Sequence, residues 1–301
     1  MLNRTKGTKR RYNEVKPKEF ISMSKDAFRQ WRRHSALQRA SALAFFTIFP
    51  LPSLLLIITA ILAQVYGQAE AAQQVLQQIT SVVGPAIAGL VGQLIESARS
   101  PFTSVLAAIV SIAFTVSGAL GAFGVLQDSL NTIWNVTPAK ERTLKAKVQG
   151  KIFPFLFVSG LGIIIIVWSG ITPILFNLVN IAFESSIGFS MLLIATSLLF
   201  SFMLATFLFA IIYQKIPDTP ISWKDVRLAA IITGLLFTIG NYLFTIYVQT
   251  FSATSVYGAA GSLMALLLWI YLAAQFLLFG AEFSKIYAET MGSRSKRNKP
   301  T

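Results

Sequence analysis

The sequence contains no cysteine and a single histidine, His34. The first absence excludes a disulfide scaffold, a thiolate metal site and a cysteine nucleophile. The second excludes a multi-histidine metal cluster. Charge is also scarce. Only 13% of the 301 residues are Asp, Glu, Lys or Arg, where a soluble chain carries about 25%. Apolar residues take up the difference, at 54% with 24 Phe, and the mean hydropathy is +0.63. So few charges could not cover a soluble domain of this length, and a disordered chain would be polar and poor in aromatics. The composition points to a polytopic membrane protein. No apolar h-region precedes residue 40, so a secretory signal peptide is not expected.

The charge-free runs set the expected architecture. Ala40–Ala69, Ser100–Gln127, Ile152–Phe183 and Ser185–Gln214 hold 30, 28, 32 and 30 residues without a formal charge, and Leu228–Ala281 holds 54. A helix crosses about 30 Å of hydrocarbon in about 20 residues. The first four runs each suit one span and the last suits two. The expected fold class is therefore all-α: a bundle of six transmembrane helices near 40–63, 101–124, 152–174, 189–213, 228–248 and 259–280. A barrel would need alternating polarity, which is missing. Between Glu70 and Glu96 the pattern differs. Gln73, Gln74, Gln77, Gln78 and Gln93 interrupt apolar residues at helical spacing, and Gly84-Pro85 divides them. This extracytoplasmic segment, 68–99, reads as two amphipathic helices at the interface or capping the bundle.

Six spans sort the basic residues. Residues 1–39 carry 12 Lys and Arg, 125–151 carry 5, 214–227 carry 3 and 281–301 carry 5, leaving only Arg99 on the opposite side. The positive-inside rule makes the rich side cytoplasmic, with both termini inside. A seventh span at 71–95 would destroy that asymmetry. The net charge of +14 could signal RNA or anionic lipid, but its one-sided placement reads first as a topology signal. Residues 1–19 form a basic tail without apolar period, and 286–301 form a second one. Phe20, Met23, Ala27 and Trp31, with basic residues between, make 20–36 an amphipathic helix on the inner leaflet, with Trp31 at headgroup level. His34 at its end reads as a solvated interfacial residue. The six-span membrane domain covers 37–285.

The spans hold no ionisable residue, which argues against a buried-carboxylate proton antiporter and against a voltage sensor. Asp128 and Glu282 come nearest, at cytoplasmic helix ends. The irregular positions are proline, small or amide. Pro50 and Pro52 leave carbonyls unpaired within the first span, as a packing kink or as a broken-helix transport site. Ser117, Gly118, Gly121 and Gly124 form a small-residue stripe, and Gly258, Gly261 and Ser262 repeat the theme. Asn241 and Gln275 are expected to face the bundle.

Three blocks resemble the YihY/BrkB membrane family, once labelled ribonuclease BN. The first is Ala40–Leu55, ASALAFFTIFPLPSLL. The second is Phe123–Val136, FGVLQDSLNTIWNV. The third runs through Trp223-Lys-Asp, Asn241–Tyr247, Tyr257-Gly-Ala-Ala-Gly, Leu268-Trp-Ile-Tyr and Gly280-Ala-Glu282. The resemblance covers residues 35–285. It implies a six-helix plasma-membrane protein (the inner membrane where the cell is Gram-negative), tied to envelope integrity and virulence, with a conjectured role in lipid transport. Its motif positions fall here on Pro50, Gln127, Asp128, Asn131, Trp134, Tyr257, Gly258, Gly261 and Glu282.

The old nuclease label finds little in these residues. The cytoplasmic acids, Glu14, Glu19, Asp26, Asp128, Glu141, Asp218, Asp225, Glu282 and Glu289, are scattered, and no His-x-His or Asp-x-Asp pair appears. Metal-dependent cleavage needs clustered ligands. No phosphate loop or nucleophile–base pair stands out, so no cofactor, no nucleic-acid partner and no enzymatic role are expected. The leading expectation is a transport-type protein acting on lipid or another amphiphile, with membrane lipids as partners and anionic phospholipid at the basic rim. The alternative is an envelope scaffold that binds an envelope protein or a second copy of itself. A membrane enzyme using Asp128 and Glu282 for acid–base work ranks third.

Overall fold

The computed structural model describes residues 17–48, 59, 63, 67–83, 85–97, 105–136, 187–251 and 259–295. Among these the regular structure is all helical. There are eight helices: α1 (Pro17–Arg33), α2 (Ala36–Ile48), α3 (Gln68–Val83), α4 (Pro85–Ser97), α5 (Val105–Ile133), α6 (Ile187–Lys215), α7 (Trp223–Phe251) and α8 (Ala259–Thr290). Two stretches, Trp223–Thr250 in α7 and Leu263–Thr290 in α8, are long and apolar enough to cross a membrane. The expected span at 152–174, the prolines Pro50 and Pro52, and Tyr257 and Gly258 lie outside the described residues.

Local chemistry sets the helix ends. α1 opens on Pro17, with Glu19 in its first turn and Arg32 and Arg33 in its last, the arrangement the helix dipole favours. It stops where Ser35 takes a left-handed backbone (φ 53°). That one residue turns the chain from α1 into α2, whose first turn starts with Arg39 N–H donating to Ser35 O at 3.1 Å. α5 ends in the same way. Asn135 is left-handed (φ 53°), and Val136 N–H reaches back to Asn131 O at 2.8 Å, a cap that asparagine tolerates better than most residues. Ser222 caps α7, its Oγ accepting from Lys224 N–H at 3.4 Å.

α8 is the central helix. It packs against α7, α2, α1 and α4, and also touches α5 and α6. α6 pairs with α7 across a short connection, α2 lies on α5, and α3 folds onto α4. Close approach depends on missing side chains. A Cβ on Gly280 would run into the Thr233 and Tyr213 hydroxyls, and one on Gly121 would run into the Phe46 ring. Gly124, from the same stripe, faces open space. Tyr213 OH donates to Leu277 O at 2.9 Å and shares a 2.8 Å bond with Thr233 Oγ1, so α6, α7 and α8 meet at the notch that Gly280 leaves.

The buried residues form two clusters. The larger gathers α1, α2, α5, α6, α7 and α8 around Leu130, Tyr213, Val226, Leu278 and Phe283. The smaller joins Val75, Ile87, Leu90 and Val91 of α3–α4 to Phe244, Leu266 and Trp269 of α7–α8. The outward faces are apolar as well. Ile109, Ile112 and Phe114 on α5, Met203 and Phe207 on α6, and Ile231, Leu235 and Ile239 on α7 are all exposed. Ile231, Leu235 and Ile239 recur every four residues, one continuous stripe along the outside of α7.

Candidate functional site

At one end of the bundle, polar side chains from several elements are bonded to one another. The N-terminus of α2, the C-termini of α5, α6 and α8, and the N-terminus of α7 all meet there, and side chains from each are bonded to a neighbour. The connections form a circuit.

The circuit begins at α8. Glu282 is 1% exposed, and its Oε1 shares a 2.5 Å hydrogen bond with Nδ1 of His34, at the turn between α1 and α2. Its other oxygen, Oε2, is buried without a hydrogen-bond partner among the described residues. From the same turn, Arg39 reaches α5. Its Nη1 donates to Asp128 Oδ2 at 2.7 Å, its Nη2 to Thr132 Oγ1 at 3.1 Å, and its Nε to His34 O at 3.1 Å. One guanidinium thus braces the turn and α5 together, using the fork of donors that distinguishes arginine from lysine.

α5 is next tied to the α6–α7 connection. Asn131 Nδ2 donates to Asp218 Oδ2 at 2.9 Å, while its Oδ1 accepts from Asp218 N–H at 2.8 Å. Gln127, one turn earlier on the same face, donates to Asp218 Oδ1 at 3.2 Å and to Ile216 O at 3.4 Å. The connection is in turn held by Arg294, just past α8, whose Nη2 donates to Thr219 Oγ1 at 2.9 Å and to Pro220 O at 3.3 Å. The same guanidinium lies 4.8 Å over the Trp134 ring, which is 3% exposed and seats a cation on its π face. That step returns the circuit to α8.

A spoke crosses the ring. Asp225, in the first turn of α7, accepts from Ser293 N–H at 3.0 Å and from the Ser293 hydroxyl at 2.5 Å. Ser284 donates to Asp225 O at 3.2 Å. Gly292 makes this approach feasible, because a Cβ there would overlap the Asp225 carboxylate and the Ala288 backbone.

The motif residues divide by position. Gln127, Asp128, Asn131, Trp134 and Glu282 come together in the ring. Asn241 lies on α7 about 24 Å along the helix from Asp225, and Gly261 lies on α8 about 31 Å from Glu282. Gln275 is half-buried, two turns before Glu282. Asn241 Oδ1 is buried without a hydrogen-bond partner among the described residues. Asp128 and Glu282 are engaged separately, one with Arg39 and the other with His34, so the structure does not present them as an acid–base pair. No group of three His, Asp or Glu side chains among the described residues could hold a metal ion.

Sequence reasoning missed His34, Arg39, Asp218, Asp225, Ser293 and Arg294. A lone histidine carries no pattern, and Arg39 and Arg294 were absorbed into the topology count. The available signal was the acids. Asp128 and Glu282 directly border a long apolar run, and Asp218 and Asp225 lie within four residues of one, where an ionised carboxylate is costly unless it is paired.

The matching family profile is described as "Virulence factor BrkB" and covers residues 27–301. Among curated relatives, a UPF0761 membrane protein of Histophilus somni (strain 2336) is 28% identical over 86% of this chain and 88% of its own length. One from Aggregatibacter aphrophilus (strain NJ8700) is 25% identical over 89% and 92%. One from Haemophilus influenzae (strain 86-028NP) is 26% identical over 89% and 97%. No solved structure matches the chain.

Proposed function

The chain belongs to the virulence factor BrkB family of membrane proteins, and from that premise we propose that it crosses the plasma membrane six times, keeps both termini in the cytoplasm, and moves or reorients a lipid or another amphiphile. The observation that carries this reading is the division of the surface. The outer faces of α5, α6 and α7 are exposed and apolar, while at one end charged and amide side chains of the ring are bonded between separate elements. A contiguous apolar face of that size needs a lipid or protein cover.

The direction of the helices supports the count. α5 and α6 both run toward the ring, and α6 is 29 residues long, about 43 Å. The chain therefore leaves α5 at the ring and enters α6 at the far end. In sequence, the charge-free run Ile152–Phe183 is long enough for the crossing that this reading requires. With no charge along the spans, a hydrophilic ion finds no partner, whereas an amphiphile keeps its tails in hydrocarbon and needs only polar contacts for its head. The Lys and Arg of the segments that this reading places in the cytoplasm would attract anionic headgroups.

Two experiments test the reading. The chain has no native cysteine, so cysteines introduced singly at Glu96 and Ser295 report topology directly. A membrane-impermeant maleimide should label the first from outside and the second from inside only; the reverse pattern overturns the orientation. Purified protein in vesicles should speed the transbilayer movement of labelled phospholipid. Rates equal to protein-free vesicles across several headgroups would end the transport reading.

A second reading, a non-catalytic envelope scaffold, is favoured by the ring itself, whose acids and bases are spent on one another. A stoichiometric crosslinked envelope protein, with unchanged lipid composition after deletion, would support the scaffold instead.

A further inference from the structure

α1 has more apolar surface than the bundle covers. It lies across the ring end of α8. Met23 and Ala27 are buried there, the Phe20 ring meets the Phe283 ring at 5.6 Å, and Thr290 Oγ1 approaches Met23 Sδ at 3.4 Å. Trp31 also turns toward this core, with its Nε1 buried. It is therefore not the outward anchor that its position in the sequence suggests.

The outward residues are Ile21 and Phe28, 54% and 52% exposed. Seven residues apart, they stand two turns from each other on one stripe. Lys25 and Arg32 border that stripe and Arg29 lies just beyond, along a shallow groove that all five share. Between Phe20 and Arg33 the helix carries four cations, Lys25, Arg29, Arg32 and Arg33, against one acid, Asp26. Asp26 sits 3.4 Å from Arg29, with both groups open to solvent. Around the helix the order is bundle contact, exposed hydrophobes, cations. A helix lying at a membrane surface beside a protein wall needs that order.

We propose that this flank of α1 is a docking surface for anionic phospholipid of the inner leaflet. Ile21 and Phe28 enter the acyl boundary, and Lys25, Arg29 and Arg32 meet phosphate oxygens, the guanidinium groups in paired contacts. The charge complements an anionic leaflet. The two exposed hydrophobes separate this occupant from RNA, which would use the cations and leave Ile21 and Phe28 without a role. The proposal rests on the bilayer-spanning reading above and assigns a lipid class and a place to it.

The test uses the full chain in vesicles with a fluorophore on a single introduced cysteine, Phe28→Cys, and quenching by spin-labelled phospholipid. Phosphatidylglycerol and phosphatidylcholine quenchers are compared at equal mole fraction. A second labelled variant, Leu235→Cys on the exposed stripe of α7, reports contact with hydrocarbon alone. The expected result is stronger quenching by phosphatidylglycerol at position 28 and equal quenching by both lipids at position 235. Arg29→Gln and Arg32→Gln should each lower the preference at position 28 by about fivefold or less, and raised salt should act in the same direction. Equal quenching by both lipids at position 28 overturns the proposal while leaving the spanning reading intact. No quenching at position 235 overturns both. A label at position 28 that ignores lipid and responds to added RNA overturns the proposal in favour of a nucleic-acid surface.

Discussion

The ring end and the far half of the bundle are held together by different physics. At the ring, side chains from separate elements are paired across long sequence distances, as with His34 and Glu282 or Arg39 and Asp128. In the far half, Phe237 and Phe244 pack on Trp269 at 5.3 and 5.2 Å between ring centres. The hydroxyls of Thr238 and Thr245 bond back to carbonyls on their own helix. A paired contact is specific and brittle, because removing one member strands the other. A packed contact is lost in proportion to the volume removed. The lesson is that damage at the ring should be repaired by a second change at the partner, and damage in the far half should not.

The largest effect is expected from Trp269→Ala. It should cost about 3 kcal/mol or more, because the cavity is walled by Phe237, Phe244 and α4 and cannot collapse. Thermal unfolding in detergent measures it, and no single polar substitution should restore the loss. A change below 1 kcal/mol would place the stability of that half elsewhere. His34→Ala comes next, at about 3 kcal/mol, because it leaves the Glu282 carboxylate buried and unpaired. The double variant His34→Ala with Glu282→Leu should regain most of that loss. If the double is as unstable as the single, the pair is not what joins the α1–α2 turn to α8. The smallest effect is expected from Asp128→Asn. The carboxylate is 64% exposed and its Arg39 partner 25% exposed, so the loss should be about 0.5 kcal/mol and should fade in high salt. A larger loss would mean that the Arg39 bonds to Thr132 and His34 fail along with the ion pair.

The sequence made the helices legible through the positions of its charges, and it set their ends too early for the same reason. The apolar run that suggested a span ending at 124 continues as helix to Ile133, and the one ending at 280 continues to Thr290. A charge ends a span, but it does not end a helix when the charge finds a partner. Asp128 and Glu282 both do, so α5 and α8 project past their apolar lengths and carry the ring on those projections. The residues of the ring were only half visible. Gln127, Asp128, Asn131, Trp134 and Glu282 stood out by resemblance to a family. Their partners His34, Arg39, Asp218 and Arg294 lie up to 248 residues away in sequence. Pairings of that kind depend on which helix ends meet, and a single sequence records that only as unpaired acids next to apolar runs.

The left-handed residue Ser35 has a mechanical consequence. α1 and α2 join at one joint, and the two residues that anchor the joint to the rest of the protein, His34 and Arg39, flank it within one helical turn. Any tilt of α1 is therefore delivered to α8 through one and to α5 through the other at the same time. The amino-terminal helix acts as a lever with a short arm, whose fulcrum is a single peptide unit.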